Sequence, residues 1–316
     1  MPQSNTIAFS SFVNNATKAD ATVTTDNLTA FNVFGQYGTT SVFTNAPFTG
    51  KGQSWTGEVA YWVANETYRF GAYSDGNGSL ADAGVTFNFG TSNNASLTFN
   101  DYSAKDADLV AALSGDETRA DLSTTPAKVN LTFKHMLSKV KFTFKTTDNH
   151  DLTFKVTDLK IGSRSDAETG AAVTGNGTIS GNGATATIDW TEGATTGSYN
   201  YKTGTNDVIS DFAVPTGTAS VEKIVIPQTN SSLYATFTVT GTDGGSITET
   251  KTFVASLNYT HEGSAEWKAG YIYDYTATIT LNDLIGEDDD PYQKIEFAVT
   301  SVDKWKTETA SDDLVQ

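Results

Sequence analysis

The chain has 316 residues, with 37 aspartates and glutamates against 20 lysines and arginines, a formal net charge of −17 and no cysteine. That length favours about two domains, because single hydrophobic cores stop growing near roughly 250 to 300 residues. The acidic field repels phosphate backbones and anionic lipid surfaces, which argues against nucleic acid as a partner. The missing cysteines remove disulfide frameworks, thiolate metal sites and cysteine nucleophiles.

Met1-Pro2-Gln3 opens into polar sequence without a charged and apolar leader, so the amino end reads as that of a mature form. Ile7 to Val13 is the first predicted strand, with Ile7, Phe9 and Val13 as its apolar face. Asn14 to Thr25 follows with no aromatic residue and one basic residue, the composition of an exposed linker that a trypsin-like protease could cut between Lys18 and Ala19. Phe31 to Tyr37, Trp55 to Val63, Tyr68 to Tyr73 and Val85 to Phe89 are the next strands. The longest apolar run, Val59 to Ala64, is far below the roughly 20 residues that span a bilayer.

"DADLVAAL", Asp106 to Leu113, reads as a helix, because its aspartates suit a helix N-terminus. "GDETRADLSTTP", Gly115 to Pro126, is polar and ends in proline, which places a domain boundary there and divides the chain into 1–125 and 126–316. Beyond it the predicted strands are Val129 to Phe133, Val140 to Lys145, Leu152 to Ile161, Ala184 to Trp190, Val221 to Ile226, Leu233 to Val239, Ile247 to Val254, Trp267 to Leu281 and Ile295 to Val302. The fold class is therefore all-β, with at most one or two short helices.

"FKHMLSKVKFTFK", Phe133 to Lys145, gathers four lysines and a histidine in an acidic chain. Val129, Leu131 and Phe133 alternate on odd positions, whereas Val140, Phe142 and Phe144 alternate on even ones. A β-bulge or a single turn between His135 and Lys139 would change the parity and leave Lys139, Lys141 and Lys145 on the wet face. His135 has only His150 and His261 as imidazole partners, at no metal-ligand spacing, so a buried, hydrogen-bonded histidine at the bend is expected.

Other motifs carry little chemistry. "DGNGS" at Asp75 to Ser79 starts like a calcium loop, but Leu80 and Thr86 stand where the glycine and the bidentate glutamate belong. "TGKGQS" at Thr49 to Ser54 lacks the Ser or Thr that a phosphate loop needs after its lysine, and reads as a hairpin loop. Glu287 to Asp290 before Pro291 reads as a solvated connector. No G-x-S-x-G elbow occurs, and Trp55, Trp62, Trp190, Trp267 and Trp305 sit in or beside strand patterns where core packing is expected. No cofactor, metal site or catalytic residue is implied. A glycan-binding surface protein would need an exposed aromatic platform, and a glycoside hydrolase would need two acids in one cleft.

"VNLTFKHMLSKVKFTFK" resembles the signature segment of the fimbrillins, the pilus and adhesin subunits of Bacteroidales bacteria. "TTDNLTAFNVFGQY", "VAYWVANETYRFGAYS", "KIVIPQTNSSLYATFTV", "WKAGYIYDYTATITL" and "KIEFAVTSVDKW" agree with it in order. The resemblance implies two tandem transthyretin-like β-sandwiches and a lipoprotein precursor exported to the outer membrane. It also implies assembly with other fimbrial subunits by strand exchange after proteolysis, and adhesion to host or bacterial surface ligands. Membrane contact would be through a lipid anchor outside this sequence. It places the cut at Lys18-Ala19, where the family more often has arginine, and makes the strand holding Ile7, Phe9 and Val13 the one released. The local donor candidate is then Lys304 to Gln316, with Trp305, Leu314 and Val315 as anchors.

Overall fold

The computed structural model describes residues 5–13, 23–76, 84–92, 94–122, 126–146, 152–203, 206–207, 212–213, 218–243, 246–285 and 297–304. Its strands, from the amino end, are β1 (Phe9–Val13), β2 (Ala30–Tyr37), β3 (Thr40–Lys51), β4 (Ser54–Gly57), β5 (Thr67–Asp75), β6 (Val85–Asn88), β7 (Ala95–Ser103), β8 (Leu109–Leu113), β9 (Glu117–Thr118) and β10 (Val129–His135). Next come β11 (Ser138–Thr146), β12 (Leu152–Gly162), β13 (Ala171–Ala172), β14 (Thr174–Gly181) and β15 (Thr187–Glu192). Five two-residue pieces follow, β16 (Thr196–Gly197), β17 (Tyr199–Asn200), β18 (Lys202–Thr203), β19 (Asn206–Asp207) and β20 (Phe212–Ala213). The last are β21 (Thr218–Val225), β22 (Gln228–Thr229), β23 (Tyr234–Asp243), β24 (Ser246–Ser256), β25 (Glu266–Trp267), β26 (Tyr271–Ile279) and β27 (Ala298–Lys304). One short helix, α1 (Leu281–Ile285), and one 3-10 turn at Gly183–Thr185 complete the described elements, so the fold is all-β as expected.

Two compact units divide the chain: residues 1–137, 176–191 and 304–316 form the first, and residues 138–175 and 192–303 the second. This differs from the division into 1–125 and 126–316. Val129, Leu131 and Phe133 of β10 pack in one core with Ile7, Phe9, Phe31 and Phe70, so β10 belongs to the first unit. The first unit has an eight-stranded sheet in the order β1-β10-β8-β5-β2-β3-β4, with β9 beside β5, and a four-stranded sheet β15-β14-β7-β6. Strands β14 and β15 reach this unit through Thr98 and Thr178, whose hydroxyls lie 3.1 Å apart, and through the Asp101 amide, which donates to Asn176 Oδ1 at 2.7 Å. Gly177 is glycine because Trp190 lies on it: a Cβ there would come within 2.5 Å of the indole ring.

In the second unit, β11 lies between β21, antiparallel, and β26, parallel, in the sheet β21-β11-β26-β27. A second sheet runs β17-β12-β23-β24, with β20 also beside β12. Phe142 meets Tyr275 at 5.8 Å between ring centroids and Phe144 meets Phe237 at 5.0 Å, which fills the interior with aromatic faces.

Two expectations need correction. Asp106 to Leu113 is not a helix. Residues 109–113 are the strand β8, every residue of it buried, hydrogen-bonded to β5 on one side and β10 on the other. A short apolar run covered on both faces has no polar side to distinguish helix from central strand. Lys139 is also not on the wet face: it is buried, 3.1 Å from Glu222 Oε1, while Lys141 is half-buried and Lys145 exposed.

The parity change has a larger cause than a bulge. At Leu137–Ser138 the chain leaves the core of the first unit and enters that of the second, so the two apolar faces serve different interiors. Val140, Phe142 and Phe144 are fully buried. Predicted strand Trp55 to Val63 stops at Gly57, whereas β3 and β7 had no sequence assignment, since threonine, asparagine and a proline at Pro47 blur their alternation.

Candidate functional site: the first strand and its groove

Strand β1, together with the residues just ahead of it, is bonded along both edges. On one side it runs parallel to β10, pairing Phe9 with Val129 through to Val13 with Phe133, and the Val129 amide donates to the Ala8 carbonyl at 2.8 Å. On the other, the Ile7 amide donates to Ala60 O at 2.9 Å, the Trp62 amide to Asn5 O at 3.0 Å and the Ser11 amide to Gly52 O at 3.0 Å. Gly52 sits at φ 57 in the two-residue loop joining β3 to β4, where Lys51 pairs with Ser54; the "TGKGQS" stretch is thus a hairpin.

Side chains complete the fit. Ile7, Phe9 and Val13 are buried. The Phe9 ring lies 5.1 Å from Phe48, 5.4 Å from Phe70, 5.9 Å from Phe43 and 6.3 Å from Phe31, mostly edge to face. Phe12 is 38% exposed. Burying each of the three apolar side chains is worth about 1.5 to 3 kcal/mol, so loss of β1 would leave an apolar groove flanked by unpaired backbone.

The rail formed by residues 60–62 has its own support. Tyr68, fully buried, accepts the Val63 amide N–H at 2.9 Å and donates to the Tyr61 carbonyl at 3.4 Å. Burial pushes its phenol pKa up, since the phenolate would have to shed water. Trp62, buried, packs on Tyr68 at 4.7 Å and carries the Arg119 guanidinium over its face at 4.5 Å. The chain re-enters the described residues at Val23, whose amide donates to Asp108 Oδ2 at 2.8 Å; His135 Nδ1 lies 2.8 Å from the same oxygen, both groups being buried. His135 is therefore the buried, hydrogen-bonded histidine the sequence implied. The Val13 amide donates to Thr25 Oγ1 at 3.0 Å, which ties the end of β1 to the strand-entering segment.

The lysines of the Phe133 to Lys145 stretch mostly have partners. Lys134 Nζ donates to the Ala186 carbonyl, and its burial lowers its pKa. Lys141 pairs with Asp274 at 2.8 Å, and Thr143 donates to the other oxygen of that carboxylate at 2.8 Å. Charge on β11 is thus matched by acids on the strands beside it.

Asp75 is spoken for: its two oxygens accept from the Tyr102 hydroxyl and from Lys105 Nζ, each at 2.9 Å. Among the described residues no group of three or more His, Asp or Glu side chains is placed to hold a metal ion. Trp62 and Trp267 are buried, while Trp55 and Trp190 are half-buried with their ring N–H groups donating to Gly52 and Met136 carbonyls. Lys18, Ala19, Trp305, Leu314 and Val315 lie outside the described residues, as does the Glu287 to Asp290 run. The rails at Gly52, residues 60–62 and β10 went unnoticed in the sequence, because pairing between segments so far apart leaves no local pattern.

The profile of the fimbrillin-like family matches residues 15–305, and the chain belongs to that family. Among solved structures it resembles a candidate cell adhesion protein of Bacteroides uniformis, with 19% identity over 97% of this chain and 100% of that one and a TM-score of 0.54. It also resembles a fimbrial protein of Bacteroides vulgatus, with 15% identity over 94% of this chain and 99% of that one and a TM-score of 0.55. Both likenesses are of fold. No curated protein matches the sequence.

Proposed function

We propose that the chain is a structural or adhesive subunit of a cell-surface fimbria, exported as a lipoprotein and activated for assembly by proteolysis. Its two units act as transthyretin-like sandwiches. A cut at Lys18-Ala19 separates β1 from the rest of the chain, and a strand from another fimbrial subunit then takes the place of β1. The observation that carries this reading is the position of β1, which completes a core between β10 on one edge and Gly52 and residues 60–62 on the other, none of them locally connected to it. Replacing such a strand restores both the backbone bonds and the apolar anchors, which is β-augmentation. A contact of that kind runs head to tail and does not close, so it builds filaments.

Mass spectrometry of fimbriae sheared from the cell surface tests the proposal. The chain should be present and should begin at Ala19. Fimbriae containing the chain with residues 1–18 attached would rule out the exchange, and purified intact chain forming filaments would rule out the occupied groove.

A further inference from the structure

Three features of the groove act together on whatever strand fills it. The seat of Phe9 is walled by Phe31, Phe43, Phe48 and Phe70. Those walls are themselves tightly held, since a Cβ on Gly35 would come within 2.7 Å of Phe70 and 3.0 Å of Phe43. An edge-to-face cage of that kind is shaped for a ring and leaves a void around a smaller side chain. Next to it, Ser10 and Ser11 are small and buried, whereas Phe12 points outward at 38% exposure. Ile7 and Val13, two places before the ring and four after it, fill apolar seats at 5% and 0% exposure.

The pattern the groove reads is therefore apolar, any, aromatic, small, small, any, apolar. Residues 303–316 of this chain do not supply it. Laid in the direction of β1, Trp305 in the Phe9 seat puts Asp303 in the seat of Ile7, Leu314 puts Asp312 there, and Val315 puts Asp313 there. Ala310 puts Glu308 there. Reversed, Trp305 brings Thr307 and Ser301 to the two flanking seats. A carboxylate in an apolar seat without a partner is strongly disfavoured.

Resting on the strand-exchange reading, we propose that the Phe9 seat is the specificity pocket of the groove, and that it selects a strand of a different subunit, one carrying an aromatic anchor between two apolar ones. The chain is an acceptor for that partner and does not donate Lys304 to Gln316 to its own copies.

The test uses the full chain nicked at Lys18, or at a specific protease site replacing residues 16–20 if Lys18 resists, with labelled peptides added in excess. The probes are residues 5–13, the same peptide with Phe9→Ala, residues 303–316, and a scrambled 5–13. The 5–13 peptide should exchange into the nicked chain, Phe9→Ala should bind at least tenfold more weakly, and 303–316 should do no better than the scrambled control. Equal binding of the Phe9→Ala peptide, or binding of 303–316 as tight as that of 5–13, overturns the proposal. So does failure of every peptide to enter, an outcome that leaves membership of fimbriae, read by mass spectrometry, unaffected.

Discussion

Tyr68 and Tyr273 make the same pair of backbone hydrogen bonds, one in each unit. Tyr68 accepts the Val63 amide and donates to Tyr61 O; Tyr273 accepts the Lys268 amide at 2.8 Å and donates to Glu266 O at 3.2 Å. Both follow a buried tryptophan, Trp62 or Trp267, and a residue with positive φ, Asn65 at 65 or Gly270 at 76. The Trp267 segment pairs with Gln228 and Thr229 of its own unit, whereas residues 60–62 bond to residues 5–7 ahead of β1. One latch thus holds a permanent edge and the other the edge of the proposed groove.

Removing the hydroxyl isolates this effect. Tyr68→Phe leaves the Val63 N–H and Tyr61 C=O unpaired in a part-buried place and should destabilise by about 1 to 3 kcal/mol. Tyr273→Phe should cost a similar amount in the second unit. Urea unfolding of the two variants measures both.

Alkali should act on the same residues. Burial raises the phenol pKa of Tyr68 and Tyr73 in the first unit, and of Tyr199, Tyr201, Tyr273 and Tyr275 in the second, above the ordinary 10.0. Below the ordinary value both folded and unfolded chains keep the proton and stability is whole. Above it the unfolded chain ionises first, so stability falls as pH rises toward the folded values. Phenolate absorbance during an alkaline titration should rise in step with loss of structure.

Asp108 and His135 form a buried pair that also holds Val23. His135→Leu removes a buried hydrogen-bond partner of Asp108 and should cost about 1 to 3 kcal/mol. Asp108→Asn combined with His135→Leu should cost less than the sum of the single changes, because the two residues share one interaction. A double-mutant cycle by denaturant unfolding gives the coupling.

Removing a charge should cost far more at the buried Lys139–Glu222 pair than at exposed Lys145. Glu222→Gln removes the carboxylate beside buried Lys139 and should cost about 1 to 3 kcal/mol, whereas exposed Lys145→Gln should change stability by less than about 0.5 kcal/mol. Equal small effects would mean that Lys139 reaches water.

Phe9→Ala empties the aromatic seat and should destabilise the first unit by about 3 to 5 kcal/mol. Phe12→Ala, three residues along the same strand but facing out, should be near neutral. Thermal unfolding of the intact chain separates the two.

Period-two alternation made β1, β2, β5, β10, β11, β23 and β24 legible, because in each of them a covered face had to be apolar. The same rule found Ile7, Phe9 and Val13, and the buried character of His135 followed from its lack of metal partners. Three things lay beyond the sequence, each decided by which segments meet. Leu109–Leu113 became a strand because β5 and β10 cover both its edges, and Lys139 went inside because Glu222 stands on the neighbouring strand to receive it. Strand β1 found β10, Gly52 and residues 60–62 as its rails, contacts made between backbone groups that every residue carries alike. Side-chain chemistry determines which face of a strand is buried; only the assembled sheet determines whose backbone lies beside it, since the amide and carbonyl groups that pair hold no record of sequence.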